Sequence, residues 1–438
     1  MKERYESYKD SGVAWIGQVP AGWEVVKLRK YLRLCSERGH QDEQLLSVTR
    51  EQGVIIRNTE SKEENHNFIP ADLSNYKYVR AGQFAINKMK AWQGSYGVSP
   101  YNGIVSPAYY VCDIANIDPH FFSIAIRSRA YVPFFSQLSK GIRVDQWDLS
   151  TDALKSVPFI EPPLPEQRAI AGYLDERCAA IDAYVASLER EAGLARELKQ
   201  ALIARAVTRG LDPNTPMRDS GIPWIGQVPE GWEVETFGKH FTFGKGLPIT
   251  KADLVPEGIA VLSYGQIHAK YNKGTTISDN MVRYVSSDFI STNPKSLLNK
   301  GDYVFADTSE DIEGSGNFGF NDYADDIFAG YHTIIARPTD LAYPKYYAYL
   351  FQSRGWKSQV QSKVNGVKVY SITKEILKGT SILIPPLPEQ RAITSYLDAR
   401  CAAIDAYVAS LEREAGLARE LKQREIADAV TGKVKITA

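Results

Sequence analysis

The segment NKMKAWQGSYG, at residues 87–97, combines side-chain types that are suited to nucleic-acid contact. Lys88 and Lys90 carry the positive charge that phosphate contacts use. Gln93 can hydrogen-bond to a base edge, and Trp92 and Tyr96 add aromatic surface. The same composition also fits a surface turn whose tryptophan packs into the core, and the sequence leaves both interpretations open.

Two further segments, KGIRVDQW at 140–147 and NGVKVYS at 365–371, occupy corresponding places in the two halves of the chain. Both carry basic and hydrogen-bonding side chains, as phosphate and base contacts require. Two corresponding arginines could contact phosphate or could form a shared structural ion pair. The candidate DNA-binding residues outside the first segment are Arg129, Lys140, Arg143, Gln146, Arg354, Asn365, Lys368 and Tyr370.

Recognisable catalytic patterns do not accompany these residues. The sequence contains no Walker A loop, no N-P-P-Y-like tetrapeptide and no H-E-x-x-H motif. GSGNFG at 314–319 matches G-x-G-x-x-G formally, but an acidic stretch precedes it instead of a buried strand, which favours a flexible turn. The six histidines are scattered, and we expect His332 to support a strand or to contact a ligand surface. We therefore predict no catalytic residue and no metal site, and a binding or scaffold role.

Composition and charge restrict the class of protein further. The 438 residues are 44% hydrophobic and 24% charged, which excludes a disordered chain and predicts two or three domains. Basic and acidic residues number 52 each, so a positive groove would have to be a local arrangement. The sequence shows no secretory h-region and no long apolar run, which predicts a cytoplasmic location. Four widely spaced cysteines are typical of reduced thiols.

The chain repeats itself. Residues 162–200 recur at 385–423 with 36 of 39 positions identical, and DSGVAWIGQVPAGW at 10–23 recurs as DSGIPWIGQVPEGW at 219–232. Each half thus contains a short box, a long variable stretch and a long shared box. Weak correspondence between the variable stretches, as between Pro119 and Pro344, indicates one domain type that has diverged in sequence.

The long shared boxes have the apolar spacing of a coiled coil, alternating four and three residues apart. We predict helices over roughly 166–208 and 389–431, each too long to bury its apolar seam alone. Chain order would make the two helices antiparallel partners. The predicted seam residues are Leu174, Ile181, Val185, Leu188, Leu397, Ile404, Val408 and Leu411.

The variable stretches combine strand-like and helix-like runs, which predicts an α+β fold class. The predicted architecture is two globular domains separated by an antiparallel pair of long coiled-coil helices, with intramolecular pseudo-two-fold symmetry. The segments would be 1–161 and 211–384 for the two globular domains, and 162–210 and 385–438 for the shared helices.

This order of boxes resembles the specificity subunit of type I restriction-modification systems. The match rests on WIGQVPAGW and WIGQVPEGW, the two PPLPEQRAI boxes, the repeated helices, and NKMKAWQGSYGVSPYNGIVSPAYY in the first variable stretch. The resemblance implies that the variable stretches are target recognition domains and that the helices are a spacer which docks two DNA methyltransferase subunits. It places S-adenosylmethionine, ATP and Mg on partner subunits, which include restriction and translocase subunits.

On this resemblance, each variable domain would read half of a bipartite, asymmetric site in double-stranded DNA, and the chain itself would be non-catalytic. A coiled-coil scaffold with two heads that bind proteins or polysaccharide, without DNA, is the alternative. A fused enzyme with unrecognised catalytic residues is a third and weaker interpretation. Duplex binding with a steep salt dependence separates the first interpretation from the second.

Overall fold

The computed structural model describes residues 3–14, 16–59, 69–70, 72–141, 147–223, 225–366 and 369–436. The chain divides into two compact units, one formed by residues 1–189 with 412–438 and the other by residues 190–411. Each long helix contributes to both units, because the boundaries fall inside the helices. The four segments predicted from the sequence are consecutive ranges along the chain and keep each shared helix as a separate segment. That division stays a prediction.

The first unit begins with the short repeat box and continues into an α+β head. Its strands are β1 (Tyr8–Asp10), β2 (Gln18–Pro20), β3 (Glu24–Lys27), β4 (Leu32–Cys35), β5 (Leu46–Thr49), β6 (Gly53–Ile56), β7 (Lys77–Val79), β8 (Phe84–Ile86), β9 (Tyr96–Val98), β10 (Gly103–Val105), β11 (Tyr110–Ile114) and β12 (Pro158–Glu161). Its helices are α1 (Pro119–Ile126), α2 (Val132–Leu138), α3 (Thr151–Ser156) and the first part of α4 (Leu164–Arg209).

An antiparallel sheet in the order β4-β11-β8-β9 forms the centre of the first head. Successive side chains of a strand point to opposite faces, so both faces of this sheet carry apolar residues into separate cores. Phe84 and Ile86 pack with α1 and α2, whereas Ala85 between them packs with strands β5, β6, β7 and β10. The sheet is therefore covered on both sides, and the connections at its ends are left to face solvent.

The second unit has the same order of elements with additional strands. Its strands are β13 (Met217–Asp219), β14 (Gln227–Pro229), β15 (Glu233–Thr236), β16 (Phe241–Lys245), β17 (Leu254–Val255), β18 (Ile259–Leu262), β19 (Arg283–Val285), β20 (Tyr303–Ala306), β21 (Thr308–Ser309), β22 (Phe318–Phe320), β23 (Ile327–Ala329), β24 (Thr333–Pro338), β25 (Tyr370–Ser371) and β26 (Ser381–Ile384). Its helices are α5 (Phe237–His240), α6 (Tyr264–Ile267), α7 (Phe289–Thr292), α8 (Pro344–Gln352), α9 (Arg354–Gln361), α10 (Lys374–Lys378) and most of α11 (Leu387–Val430).

The central sheet of the second head, in the order β16-β24-β20-β22, is the counterpart of the sheet in the first head. The alternation also recurs, because Tyr303 and Phe305 face α8 and α9 while Val304 and Ala306 face another core. Pro119 and Pro344 each occupy the first residue of the helix that follows the sheet. The diverged domain type inferred from weak sequence correspondence is thus present twice.

The two long helices run antiparallel within each unit. In the first unit, Arg177 of α4 pairs with Glu425 of α11 at 2.9 Å, and Asp182 pairs with Lys422 at 2.6 Å. The residue number rises along α4 as it falls along α11, which is the signature of an antiparallel pair. In the second unit, Lys199 pairs with Asp405 at 2.7 Å. The predicted α+β heads and antiparallel long helices are confirmed.

The predicted seam residues, whose apolar side chains alternate four and three residues apart, lie along these two helices. Seven of the eight predicted residues are buried and one, Ile404, is half-buried. The buried ones are Leu174, Ile181, Val185, Leu188, Leu397, Val408 and Leu411.

A buried tryptophan of the repeat box ties the start of the long helix to each head. Trp23 Nε1 donates a hydrogen bond to Glu166 Oε2 at 2.9 Å, and Trp232 Nε1 donates to Glu389 Oε2 at 2.8 Å. Both glutamates lie in the first helical turn, where a carboxylate also interacts favourably with the helix dipole. The short box and the long helix are therefore repeated together because they form one joint.

No helix in the part of the chain that the structure describes is long and apolar enough to cross a membrane.

Candidate nucleic-acid interface

Two connections lie side by side at one end of the central sheet in the first head. One is the β8–β9 connection, residues 87–95, and the other runs from α2 towards α3. The backbone N–H of Leu149 donates to the carbonyl of Lys88 at 3.1 Å, and Lys140 and Asp148 exchange backbone hydrogen bonds at 3.0 and 2.9 Å. These bonds bring the first predicted segment and the second into one surface.

Aromatic and charged contacts between the two connections fix this surface. The rings of Trp92 and Trp147 lie 5.2 Å apart, and both side chains are half-buried. Lys88 Nζ donates to Asp148 Oδ2 at 2.8 Å, and this hydrogen bond raises the pKa of the Lys88 ammonium. Lys88 therefore stays charged but has its charge compensated by Asp148.

The remaining predicted residues of the first head divide into exposed, buried and undescribed ones. Lys90 and Lys140 are exposed and Gln93 is half-exposed, as contacts with a ligand require. Tyr96 is only 1% exposed, with its ring 4.1 Å from that of Phe135. It belongs to the core and is not part of the candidate interface. Arg143 and Gln146 lie outside the described residues.

The two corresponding arginines are both exposed at the surface. Arg129 lies between α1 and α2, and Arg354 is the first residue of α9. Within the described ranges, neither guanidinium forms an ion pair with a carboxylate, so the structural ion-pair alternative has no support there. By contrast, Arg127 donates to the carbonyls of Tyr96 and Glu51 at 2.5 and 2.9 Å, and burial lowers its pKa. Arg127 is thus a structural arginine that the sequence did not distinguish.

The second head places the equivalent two connections together. The N–H of Ile372 donates to the carbonyl of Asp307 at 2.8 Å, as Leu149 does to Lys88 in the first head. Strand β21 pairs with β25, which contains Tyr370. Asn365 is exposed, Tyr370 is half-buried, and Lys368 lies outside the described residues.

A cavity of about 830 Å³ opens beside these connections in the second head. Its lining includes Tyr264, His268, Thr308, Asn317, Tyr331 and His332. Three acidic residues, Glu310, Asp311 and Glu313, also line the cavity and are exposed. The same place in the fold is therefore basic in the first head and acidic in the second.

His332 is held in an unusual conformation at this cavity. Its φ is +54°, a left-handed value that costs a non-glycine residue on the order of 1 kcal/mol or more. Its Nδ1 lies 2.9 Å from Asp307 Oδ1, and its carbonyl accepts from the Asp307 N–H at 3.1 Å. Two hydrogen bonds to the same aspartate stabilise the strained residue.

A second chain of hydrogen bonds fixes the cavity wall. Lys357 Nζ donates to Asn317 Oδ1 at 2.6 Å, and Asn317 Nδ2 lies 3.2 Å from His268 Nδ1. His268 Nε2 lies 2.8 Å from the carbonyl of Thr308, so in this network Nε2 is the donor and Nδ1 the acceptor. Burial lowers the pKa of Lys357.

Sequence reasoning named His332 as a possible ligand contact but missed Asp307, Tyr331 and the His268 network. The residue types at these positions differ from those at the corresponding positions of the first head. A comparison of the two halves of the sequence therefore did not indicate these residues as candidates. GSGNFG was correctly interpreted as a turn, because it leads into β22 and not into a helix.

Comparison with known proteins gives these heads a family context. A family model described as the type I restriction modification DNA specificity domain matches residues 229–406. Residues 229–406 are thus similar to that domain. A putative type I restriction enzyme specificity subunit, MjaX of Methanocaldococcus jannaschii, is 21% identical, with 96% of each chain covered. The MjaVIII specificity subunit of the same organism is 20% identical over 72% of this chain and 70% of its own.

A solved structure shares the fold of this chain. One chain, from work titled as the structural basis of complex assembly and conformational transition of the type I R-M system, has a TM-score of 0.69. The alignment covers 95% of this chain and 99% of that chain, at 16% identity. The fold is thus shared with that chain over nearly its whole length. The resemblance found in the sequence is confirmed.

Proposed function

We propose that this chain is the non-catalytic DNA recognition subunit of a type I restriction-modification complex. Each head reads one half of a bipartite, asymmetric site in double-stranded DNA. The observation that carries the proposal is that both heads keep the same backbone hydrogen bond between the two connections but place different side chains beside it. The same backbone hydrogen bond joins Leu149 to Lys88 and Ile372 to Asp307, but the side chains beside it are a lysine–aspartate pair and an aspartate–histidine pair. Two domains that share a fold but carry different side chains at these connections suit the recognition of two different DNA sequences.

In the first head, phosphate contacts would come from Lys90, Lys140 and Arg129, which are exposed. Phosphate contacts fix register, while sequence is read at base edges in the grooves. Gln93 and Trp92, between the lysines, are then placed to meet base edges. In the second head, Arg354 would contact phosphate, and Asn365 and Tyr370 would approach the bases beside the cavity.

The helices would set the distance between the half-sites. Helix α4 has 46 residues and is therefore about 69 Å long at ~1.5 Å per residue. At ~3.4 Å per base pair, its ends correspond to at most roughly 20 base pairs. Heads that reach inward along the duplex would place the half-sites closer, near one helical turn of about 10 base pairs.

The outer faces of the helices would dock two DNA methyltransferase subunits. In the second unit Leu194 is 60% exposed, and Tyr407 is 46% exposed. In the first unit the identical repeat positions, Leu417 and Tyr184, are 60% and 47% exposed. Two copies of one apolar surface suit two copies of one partner, because identical surfaces bind the same complementary surface of a partner. S-adenosylmethionine, ATP and Mg would be bound by partner subunits, and restriction subunits would join through the complex.

Mapping methylated adenines in a host genome with and without this gene tests the proposal. The methyltransferase partner would take an adenine out of the helical stack for the reaction. A split, asymmetric motif that is methylated only when the gene is present is the expected result. A two-headed scaffold that binds proteins or polysaccharide would leave the methylation pattern unchanged, and duplex binding would lack a steep dependence on salt.

A further inference from the structure

The cavity of the second head contains an oriented hydrogen-bonding group, the imidazole of His332, to which the proposed function gives no specific role. His332 lines this cavity, and its side chain is 38% exposed. Its Nδ1 is engaged by Asp307 at 2.9 Å. In the neutral ring with Nδ1–H donating to the carboxylate, Nε2 carries no hydrogen and is an acceptor. In this neutral form the pair fixes the tautomer and leaves one acceptor for a ligand.

Backbone strain at this residue also indicates function. Strained residues persist where the surrounding structure holds them, and an observed outlier at a surface cavity supports a functional role. Only His332 and Asn116 are non-glycine residues with positive φ within the described ranges. Asn tolerates this conformation more readily than most residues do. His332 therefore retains an imidazole at a position where glycine would be less strained.

The charge around the cavity restricts the chemical class of the ligand. Glu310, Asp311 and Glu313 line it and are exposed, so phosphate groups are repelled from its rim. A surface of acceptors is complementary to hydrogen-bond donors instead. In the major groove the donors are the amino groups at adenine N6 and cytosine N4.

Hydrogen bonds and close packing fix the wall of the cavity. The hydrogen-bond chain from Lys357 through Asn317 and His268 to Thr308 joins α9 to the connection that carries β21. Gly314 also packs tightly, because a Cβ there would lie 2.6 Å from Ser309 Oγ. The ring of Tyr331, which is 43% exposed, lies 4.0 Å from the ring of His332 and adds apolar surface beside it.

We propose that His332, positioned by Asp307, reads the exocyclic amino group of an adenine or a cytosine in the half-site of the second head. The inference rests on the proposed function, since it presumes that this head meets DNA. His332 is the specificity-determining residue that touches the base, and Asp307 is the positioning residue that sets its tautomer and direction.

The test uses the full chain in complex with its methyltransferase subunits and a library of duplexes randomised in each half-site. Methylation of every duplex is read by sequencing. His332→Gly removes the imidazole and relieves the positive φ, so the fold is retained. We expect the preference at one base pair of the second half-site to fall about ten-fold or more, the effect of one lost base contact, while the first half-site is unchanged.

Three further variants complete the test. Asn116→Gly is the matched control, because it relaxes the other positive-φ residue, and both half-sites should stay as in the wild type. Asp307→Ala should weaken the same base preference as His332→Gly, and Asp307→Asn should restore it, because an amide oxygen still accepts from Nδ1–H.

Different results would overturn this inference and the proposed function. A folded His332→Gly complex with an unchanged motif overturns the inference alone, because the wild-type motif would still show recognition by both heads. An equal loss in Asn116→Gly also overturns it, because the effect would then be general. A wild-type complex without any split preference overturns the proposed function, and the inference with it.

Discussion

At the scale of single residues, the two tryptophan–glutamate joints are similar but not equal. Glu166 accepts a second hydrogen bond, from the Tyr5 hydroxyl at 2.8 Å. Within the described residues, Glu389 accepts from no side chain other than Trp232. The joint of the second unit therefore depends more on its tryptophan than the joint of the first unit does.

We accordingly predict that Trp232→Phe destabilises its unit more than Trp23→Phe does. Each variant loses one indole donor, but only the former leaves a half-buried carboxylate without a side-chain donor, which costs roughly 1–3 kcal/mol. Calorimetric unfolding of the two variants and the wild-type chain measures the difference. Each tryptophan is the matched control for the other, and an equal loss in both variants would contradict this account of the joints.

Exposed lysines of the first head provide a prediction about binding. Lys90→Ala and Lys140→Ala should each weaken duplex binding by similar factors for all sequences, because phosphate contacts carry no sequence information. Each should also reduce the slope of log affinity against log salt by about one unit. Fluorescence anisotropy over a salt series measures both quantities for the complex.

Lys27→Ala is the control for these lysine variants. Lys27 is exposed in β3, which pairs with β12 and not with the strands of the central sheet, and its loss should leave the slope unchanged. A slope that is equally insensitive to Lys90 and Lys140 would remove both residues from the interface.

At the scale of secondary-structure elements, the sequence predicts most of the fold. The strand-like run 302–306 contains β20 and the run 331–336 overlaps β24, because short continuous apolar runs are typical of strands covered on both faces. The helices predicted over 166–208 and 389–431 are observed at Leu164–Arg209 and Leu387–Val430. The seam spacing predicts the helix, while one or two residues at each end depend on local packing.

The candidate site is less predictable from the sequence than the fold, for a physical reason. Tyr96 is of a residue type that can contact bases, yet it lies in β9 and its ring faces the core. His332 and Asp307 are brought together by pairing between strands and connections that are distant in the chain. Residue types alone report neither the direction of a side chain nor such a pairing.

The helices themselves give a prediction about spacing. Deleting one heptad from α4 and the matching heptad from α11 retains the seam and shortens each rod by about 10 Å. The unread gap between half-sites should then shorten by roughly 3 base pairs, with both half-site sequences retained. Methylation mapping with the deleted chain measures the gap, and an unchanged gap would contradict a role of the helices as a ruler.

At the scale of the whole molecule, one chain contains two versions of the same unit. Each unit combines a repeat box, an α+β head and paired segments of the two long helices. Homodimers repeat one surface twice and therefore suit palindromic sites. A duplicated chain can keep its joints and helices identical while its heads diverge. The expected target is thus split and asymmetric.

Mapping of methylated adenines with and without the gene tests this central claim most directly. The account predicts one split motif whose two halves differ, methylated only in the presence of the chain and its methyltransferase partner. A motif that is continuous or palindromic, or a methylation pattern that does not depend on the gene, would contradict it.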